Sequence, residues 1–205
     1  MRQRLSQAAF DVICEIGFAN FRTSAVSKRA GVSQGAQLHH FPTKNSLAVA
    51  ALEYAFQKSF ETFQQNLATS AEGEELIDLI LKDFADFYLS DYFMVALDIL
   101  MGGGRNQELR DEITELSRKN RDTVERYWLE RLVDDGWSLT MAEDVLALSH
   151  SLVRGFSTRA LIREPGEKFT RLLNRWRTMV LSLREQPALG ATVNAPIADP
   201  ANAII

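Results

Sequence analysis

Two of the chain's three histidines, His39 and His40, are adjacent, in the stretch RAGVSQGAQLHHFPTK from Arg29 to Lys44. A metal site, a catalytic pair and a DNA-reading helix all use such residues. Neighbouring residues of a helix point about 100° apart. The stretch also holds no Cys, Asp or Glu to complete a coordination shell, so the pattern argues against metal. No nucleophile or carboxylate stands nearby to work with either ring, which argues against catalysis. The single cysteine, Cys14, lies in an apolar pattern and is expected to be a small buried hydrophobe in a reducing compartment. The run Gly102-Gly103-Gly104 lacks a following Gly-Lys-Ser/Thr and is no phosphate loop. No catalytic residue, no metal and no cofactor is therefore expected. The histidine pair is left for nucleic acid.

Charge points the same way. Residues 1–45 hold six basic and two acidic side chains, whereas the rest holds 17 basic and 25 acidic. A basic head suits a polyanion, and an acidic body does not. Composition is that of an ordinary globular protein, with 46% apolar residues. The longest nearly apolar run, YFMVALDILM, is too short to span a bilayer and contains Asp98, so a cytoplasmic protein without membrane contact is expected.

The elements that must position the head read as helices. Leu5, Ala8, Ala9, Val12, Ile13 and Ile16 make one amphipathic helix that stops at Gly17. Thr23 and Ser24 offer caps for a helix over 25–30, Gly31 ends it, and Ser33 caps the next. Pro42 closes that third helix early, and Thr43 caps a long fourth one to about Ala68. Further helices are expected at 76–88, 92–101, 107–135, 141–162 and 165–184. The end, 187–205, lacks helical periodicity and reads as an extended or loosely docked tail.

Helix, Gly-containing turn and short helix make a helix-turn-helix, whose second helix enters the major groove. On that helix Gln34, Leu38 and Phe41 share one face and are expected inward. Ser33, Ala36 and His40 share the other, with Gln37 and His39 at its flanks.

Thr23 to Leu47, TSAVSKRAGVSQGAQLHHFPTKNSL, resembles the DNA-binding signature of the TetR-type bacterial transcriptional regulators, together with AAFDVICEIGFANF upstream. The resemblance is specific over about residues 4–50. It implies an all-α fold of about nine helices. A three-helix helix-turn-helix domain (1–47) would be joined by the fourth helix to a larger domain for effector binding and dimerisation (48–186), with the tail at 187–205. It places Lys28, Ser33, Gln34, Ala36, His39, His40 and Lys44 at DNA. Where the family usually has an apolar residue followed by Tyr, this chain has Gln37-Leu38. The expectation is a slightly rotated helix, with Leu38 buried and Gln37 turned to DNA. The family's basic N-terminal arm is reduced to Arg2 and Arg4.

The last two helices would supply the dimer surface. Val145, Leu148, Ser149, Leu152 and Phe156 on one, and Phe169, Leu172, Leu173, Trp176, Met179, Val180 and Leu183 on the other, give wide apolar faces for a four-helix seam. Effector walls are expected from Phe84, Phe87, Tyr88, Met94, Leu97, Met101, Tyr127 and Trp128. Asp98 or His150 would orient a polar group, and the glycine run would serve as a helix stop or hinge. The expected function is a ligand-responsive regulator, a dimeric repressor released from double-stranded operator DNA by a small apolar or amphipathic effector. The competing reading is an all-helical small-molecule-binding protein or enzyme with an incidental helix-turn-helix. A purely architectural DNA protein should be basic throughout.

Overall fold

A break at Gly17 organises the first third of the chain. In the computed structural model, which describes residues 1–71, 73–103, 106–160 and 166–184, the backbone there takes φ 75° and ψ 156°. Glycine tolerates this conformation and other residues do not. The break sits inside α1 (Arg2–Asn20), which is followed by α2 (Thr23–Ala30) and α3 (Gln34–His40). Then follow α4 (Lys44–Thr69), α5 (Leu76–Tyr88), α6 (Asp91–Gly103), α7 (Gln107–Asp134), α8 (Leu139–Ala160) and α9 (Glu167–Arg184). These nine helices, with no strand among the described residues, agree with the all-α expectation. The tail lies outside those residues.

Two caps are as the sequence implies. Ser33 Oγ accepts the Ala36 N–H, and Thr43 and Ser46 close a reciprocal capping box at α4. Helix α2 begins earlier than expected, at Thr23, and no side chain caps it. Cys14 is exposed rather than buried.

The core is in two parts. One gathers Leu5, Phe10 and Ile13 of α1, Phe21, Val26, Phe41, the first half of α4, Val95 and Ile99 of α6, and Leu109 and Ile113 of α7. The other gathers Phe63, Ile80, Phe84, Trp128, Val145, Val153 and Val180 from α4, α5, α7, α8 and α9. The head therefore does not close its own core at residue 47. Helices α6 and α7 complete it.

Gly102 and Gly103 are part of α6, not its stop. A Cβ on Gly102 would lie 2.7 Å from Cδ1 of Phe18, and one on Gly103 2.7 Å from Cδ2 of Leu109. These glycines let the last turn of α6 press against α1 and α7. Replacing Gly102 by Ala should gain up to about 1 kcal/mol of helix propensity. Against that stands overpacking of an aromatic ring, which costs about 1–3 kcal/mol. The expected outcome of Gly102→Ala is a net loss in denaturant-unfolding stability; a gain would show that α6 and α1 are not in tight contact.

Candidate nucleic-acid interface and ligand cavity

The reading helix α3 is oriented by a residue that sequence patterning placed wrongly. Gln37 is 1% exposed, while Leu38 is 51% exposed. The Gln37 amide donates to the Phe41 carbonyl at 2.5 Å, and its oxygen accepts from Ser27 Oγ of α2 at 3.5 Å. A buried amide satisfied this way costs little, whereas the same amide left unpaired would cost about 1–3 kcal/mol. The expected rotation is therefore overturned. Gln37 occupies the apolar position of the pattern and faces inward, Phe41 packs in the core, and Leu38 points out.

The other expected DNA residues are reachable. Lys28, Ser33, Gln34 and His39 are exposed, and Ala36 and His40 half-buried. The His39 and His40 rings lie edge to face, 5.3 Å apart. Arg2 donates to the His40 carbonyl at 3.3 Å and stacks over Phe41, pinning the N-terminal arm to the end of α3. Lys44 differs from expectation. Its ammonium donates to the Phe18 carbonyl at 3.2 Å and sits 4.5 Å above that ring. Burial and the nearby Arg22 guanidinium hold its pKa below the ordinary lysine value. Lys44 ties α4 to the end of α1 before it offers anything to a phosphate.

Phe18 is held on its other side by α6. Its amide, freed from the helical ladder by the break at Gly17, donates to Asp98 Oδ2 at 2.6 Å. Asp98, expected to meet an effector or water, is thus a clamp between α6 and α1.

Behind α6, the described residues enclose a cavity of about 420 Å³ among α4 to α8. That is room for a small organic molecule. Phe84, Phe87, Tyr88, Leu97 and His150 line it as expected. Met94, Met101 and Tyr127 do not. Met101 is 76% exposed. Tyr127 packs edge-on against Phe63 and Trp128. Trp128 is 1% exposed in the core and donates its indole N–H to Asp83 at 2.8 Å. Sequence reasoning missed Phe56, Phe63, Phe93, Ile113, Arg121 and Arg154 as walls. On α7 the signal was present: Ile113, Ser117, Arg121 and Val124 recur at helical spacing, a half-polar stripe facing inward.

The polar groups of the cavity are tuned by burial. Tyr88 and His150 Nε2 contact each other across α5 and α8. Desolvation, then the Arg154 and Arg121 guanidinium charges, lower the His150 pKa to about 4. Burial pushes the Tyr88 hydroxyl above its usual range. Asp83 is raised to about 6, mainly by burial and against the Trp128 hydrogen bond. At neutral pH the cavity presents a neutral imidazole and phenol beside cationic Arg121 and Arg154. Among the described residues no group of three or more His, Cys, Asp or Glu side chains could hold a metal ion.

Residues 5–51 match the family model described as bacterial regulatory proteins, tetR family. The chain is 39% identical over 171 residues to the HTH-type transcriptional regulator CymR of Pseudomonas putida, covering 83% of this chain and 84% of that one. A transcriptional regulator from Rhodococcus sp. Rha1 superposes with a TM-score of 0.70 at 25% identity, covering 89% of this chain and 96% of that one. FadR of Bacillus subtilis, solved in complex with stearoyl-CoA, shares the fold with a TM-score of 0.61 at 16% identity, over 89% of this chain and 98% of that one.

Two outcomes follow from this geometry. Gln37→Ala removes the partner of the Phe41 carbonyl and should cost about 1–3 kcal/mol of stability, read by chemical denaturation; an unchanged midpoint would show that Gln37 is not held inside. His150 has a folded pKa near 4, below its ordinary 6.5, so its contribution is present above pH 6.5 and is lost as pH falls toward 4. Asp83 acts oppositely, favouring the fold at low pH and losing that contribution as pH rises from 3.8 through about 6. His150→Gln removes only the first effect. Its stability relative to wild type should therefore rise on acidification from pH 7 to pH 5, whereas a constant difference would place His150 in solvent.

Proposed function

Since the chain belongs to the tetR family of bacterial regulatory proteins and is a DNA-binding transcriptional regulator, we propose that it acts as a dimeric repressor released from its operator by a small apolar or amphipathic molecule. The observation that carries this reading is the shared use of α6. One face of that helix lines the aromatic cavity through Leu97, and Asp98 beside it holds the Phe18 amide of the head. A molecule entering the cavity and shifting α6 would disturb that clamp and the angle of the head. Helix α4, fixed to Phe18 through Lys44, would move with it. A protein with this fold was solved in complex with stearoyl-CoA, which supports a ligand-binding role for the cavity. Residues 1–47 serve as the DNA-binding unit in this reading, and 48–186 as sensor and dimer unit.

DNA contacts are assigned to Lys28, Ser33, Gln34, Ala36, His39 and His40, with Lys44 and Gln37 positioning them. The dimer surface is assigned to α8 and α9. Leu148 is 55% and Met179 53% exposed, and Leu152, Phe156 and Leu172 are half-buried around them. Val145, Ser149 and Val180, expected on this surface, are inside the subunit instead. Trp176 is half inside too, donating its indole N–H to Ser149 at 2.8 Å. The relatives are transcriptional regulators, and catalysis has no part in the proposal. No helix among the described residues is long and apolar enough to cross a membrane, which accords with the proposed cytoplasmic place of action.

Leu148→Glu combined with Met179→Glu puts charge on exposed positions and should leave the subunit folded. Sedimentation should then show monomers, and operator affinity should fall sharply because both half-sites must be gripped together. A dimeric double variant would place the seam elsewhere. The switch is tested by titrating compounds that raise the thermal midpoint into free protein and into the protein–operator complex. A hundredfold release corresponds to about 2.7 kcal/mol of coupling and must appear reciprocally as weaker ligand binding to the complex. Equal affinities in both titrations would remove that compound as an effector.

A further inference from the structure

We infer that Leu38 is a base-reading residue that recognises the C5-methyl group of a thymine in the major groove. This rests on the DNA-binding reading above and adds to it a residue that patterning had assigned to the core. Among the described residues from 17 to 88, Leu38 is the one large apolar side chain that stands exposed, at 51%. It does so on the helix that enters the groove. Its neighbours on α3 are Gln, Gly, Ala and His. A leucine in such company gives up nothing to the fold by facing water, since its partner position inward is already filled by Gln37. The rotation of α3 is fixed at that inner edge by the Ser27 and Phe41 hydrogen bonds of Gln37 and at the C-terminal end by burial of Phe41.

With Gln37 directed inward, about 100° per residue places Gly35 and His39 at the centre of the outward face. Leu38 lies on one flank, one turn beyond Gln34. A Cβ on Gly35 would meet nothing closer than Ser33 Oγ at 4.0 Å, so the centre of the helix offers bare backbone to the groove. Among the base edges of the major groove only thymine presents an apolar group, its methyl, and glutamine is the side chain that pairs bidentately with adenine. The Gln34–Leu38 flank is therefore chemically matched to an A·T pair or to adjacent A·T pairs. Gln34 takes the adenine edge and Leu38 the methyl.

The test uses full-length protein and duplexes selected by it from a randomised pool. In the selected duplex each thymine is replaced in turn by uracil, which removes the methyl and nothing else. At one thymine of each half-site, wild type should bind roughly fourfold more weakly per methyl removed, the equivalent of about 0.8 kcal/mol. Leu38→Ala, which leaves an exposed position and an unchanged thermal midpoint, should be indifferent to that same methyl and retain wild-type sensitivity to the others. Equal losses for wild type and Leu38→Ala at every thymine, or selected duplexes without thymine at the contacted positions, would overturn the assignment of Leu38 while leaving DNA binding intact. A pool that yields no enriched duplex would overturn DNA binding itself and this inference with it.

Discussion

The arrangement depends on how one phenylalanine is held. Phe18 follows the break at Gly17, and the break leaves its amide without a helical acceptor. Asp98 of α6 supplies one at 2.6 Å. Its carbonyl accepts both the Phe21 N–H and the Lys44 ammonium of α4. Its ring lies beneath that ammonium and against the bare backbone of Gly102. Three helices, α1, α4 and α6, thus meet at one residue, and each contact exists because of a specific residue type. Glycine makes the break, a carboxylate accepts the amide, a lysine spans to the carbonyl, and a second glycine leaves room for the ring. A charge-assisted hydrogen bond to a partly buried amide is among the stronger single interactions available. The head is accordingly fastened to the helix that borders the cavity, not merely linked to it along the chain.

That fastening gives the proposed switch a physical route from the cavity to the head in so small a protein. The cavity lies on one face of α6 and Phe18 on another. The packing around Gly102 and Gly103 leaves no slack that could absorb a movement of α6. Close-packed contacts of this kind shift between discrete arrangements and do not deform gradually. The glycines first suggested a compliant joint. Gly102 and Gly103 are found inside α6 in close approach to Phe18 and Leu109, and Gly104 lies outside the described residues.

Much of this was legible in the sequence. Ser33, Thr43 and Gly31 announced the helix boundaries because caps and left-handed turns are local chemistry. The aromatic run of α5 announced a cavity wall, and His150 its polar group. The failures share a cause: they depend on partners far away in the chain. Patterning treats leucine as inward and glutamine as outward, so it reversed Gln37 and Leu38. What decides their places is Ser27 on the preceding helix and the Phe41 carbonyl. Asp98 looked like a stray carboxylate because its partner is an amide 80 residues earlier. Met101 was drawn into the cavity because patterning treats aromatic and Met residues as its walls; on α6 it lies on the face turned to solvent. Arg121 and Arg154 were overlooked because a charged residue on an amphipathic helix is ordinarily a solvated one.

The claim on which the account stands is that Asp98 holds the head through the Phe18 amide. Hydrogen exchange of full-length protein, followed residue by residue in wild type and in Asp98→Ala, tests it without a ligand or an operator. The account predicts that the wild-type Phe18 amide exchanges as slowly as the amides of α6, and that Asp98→Ala speeds its exchange together with that of α2 and α3. A Phe18 amide that exchanges freely in wild type, or a head whose protection is unaltered in Asp98→Ala, would contradict it.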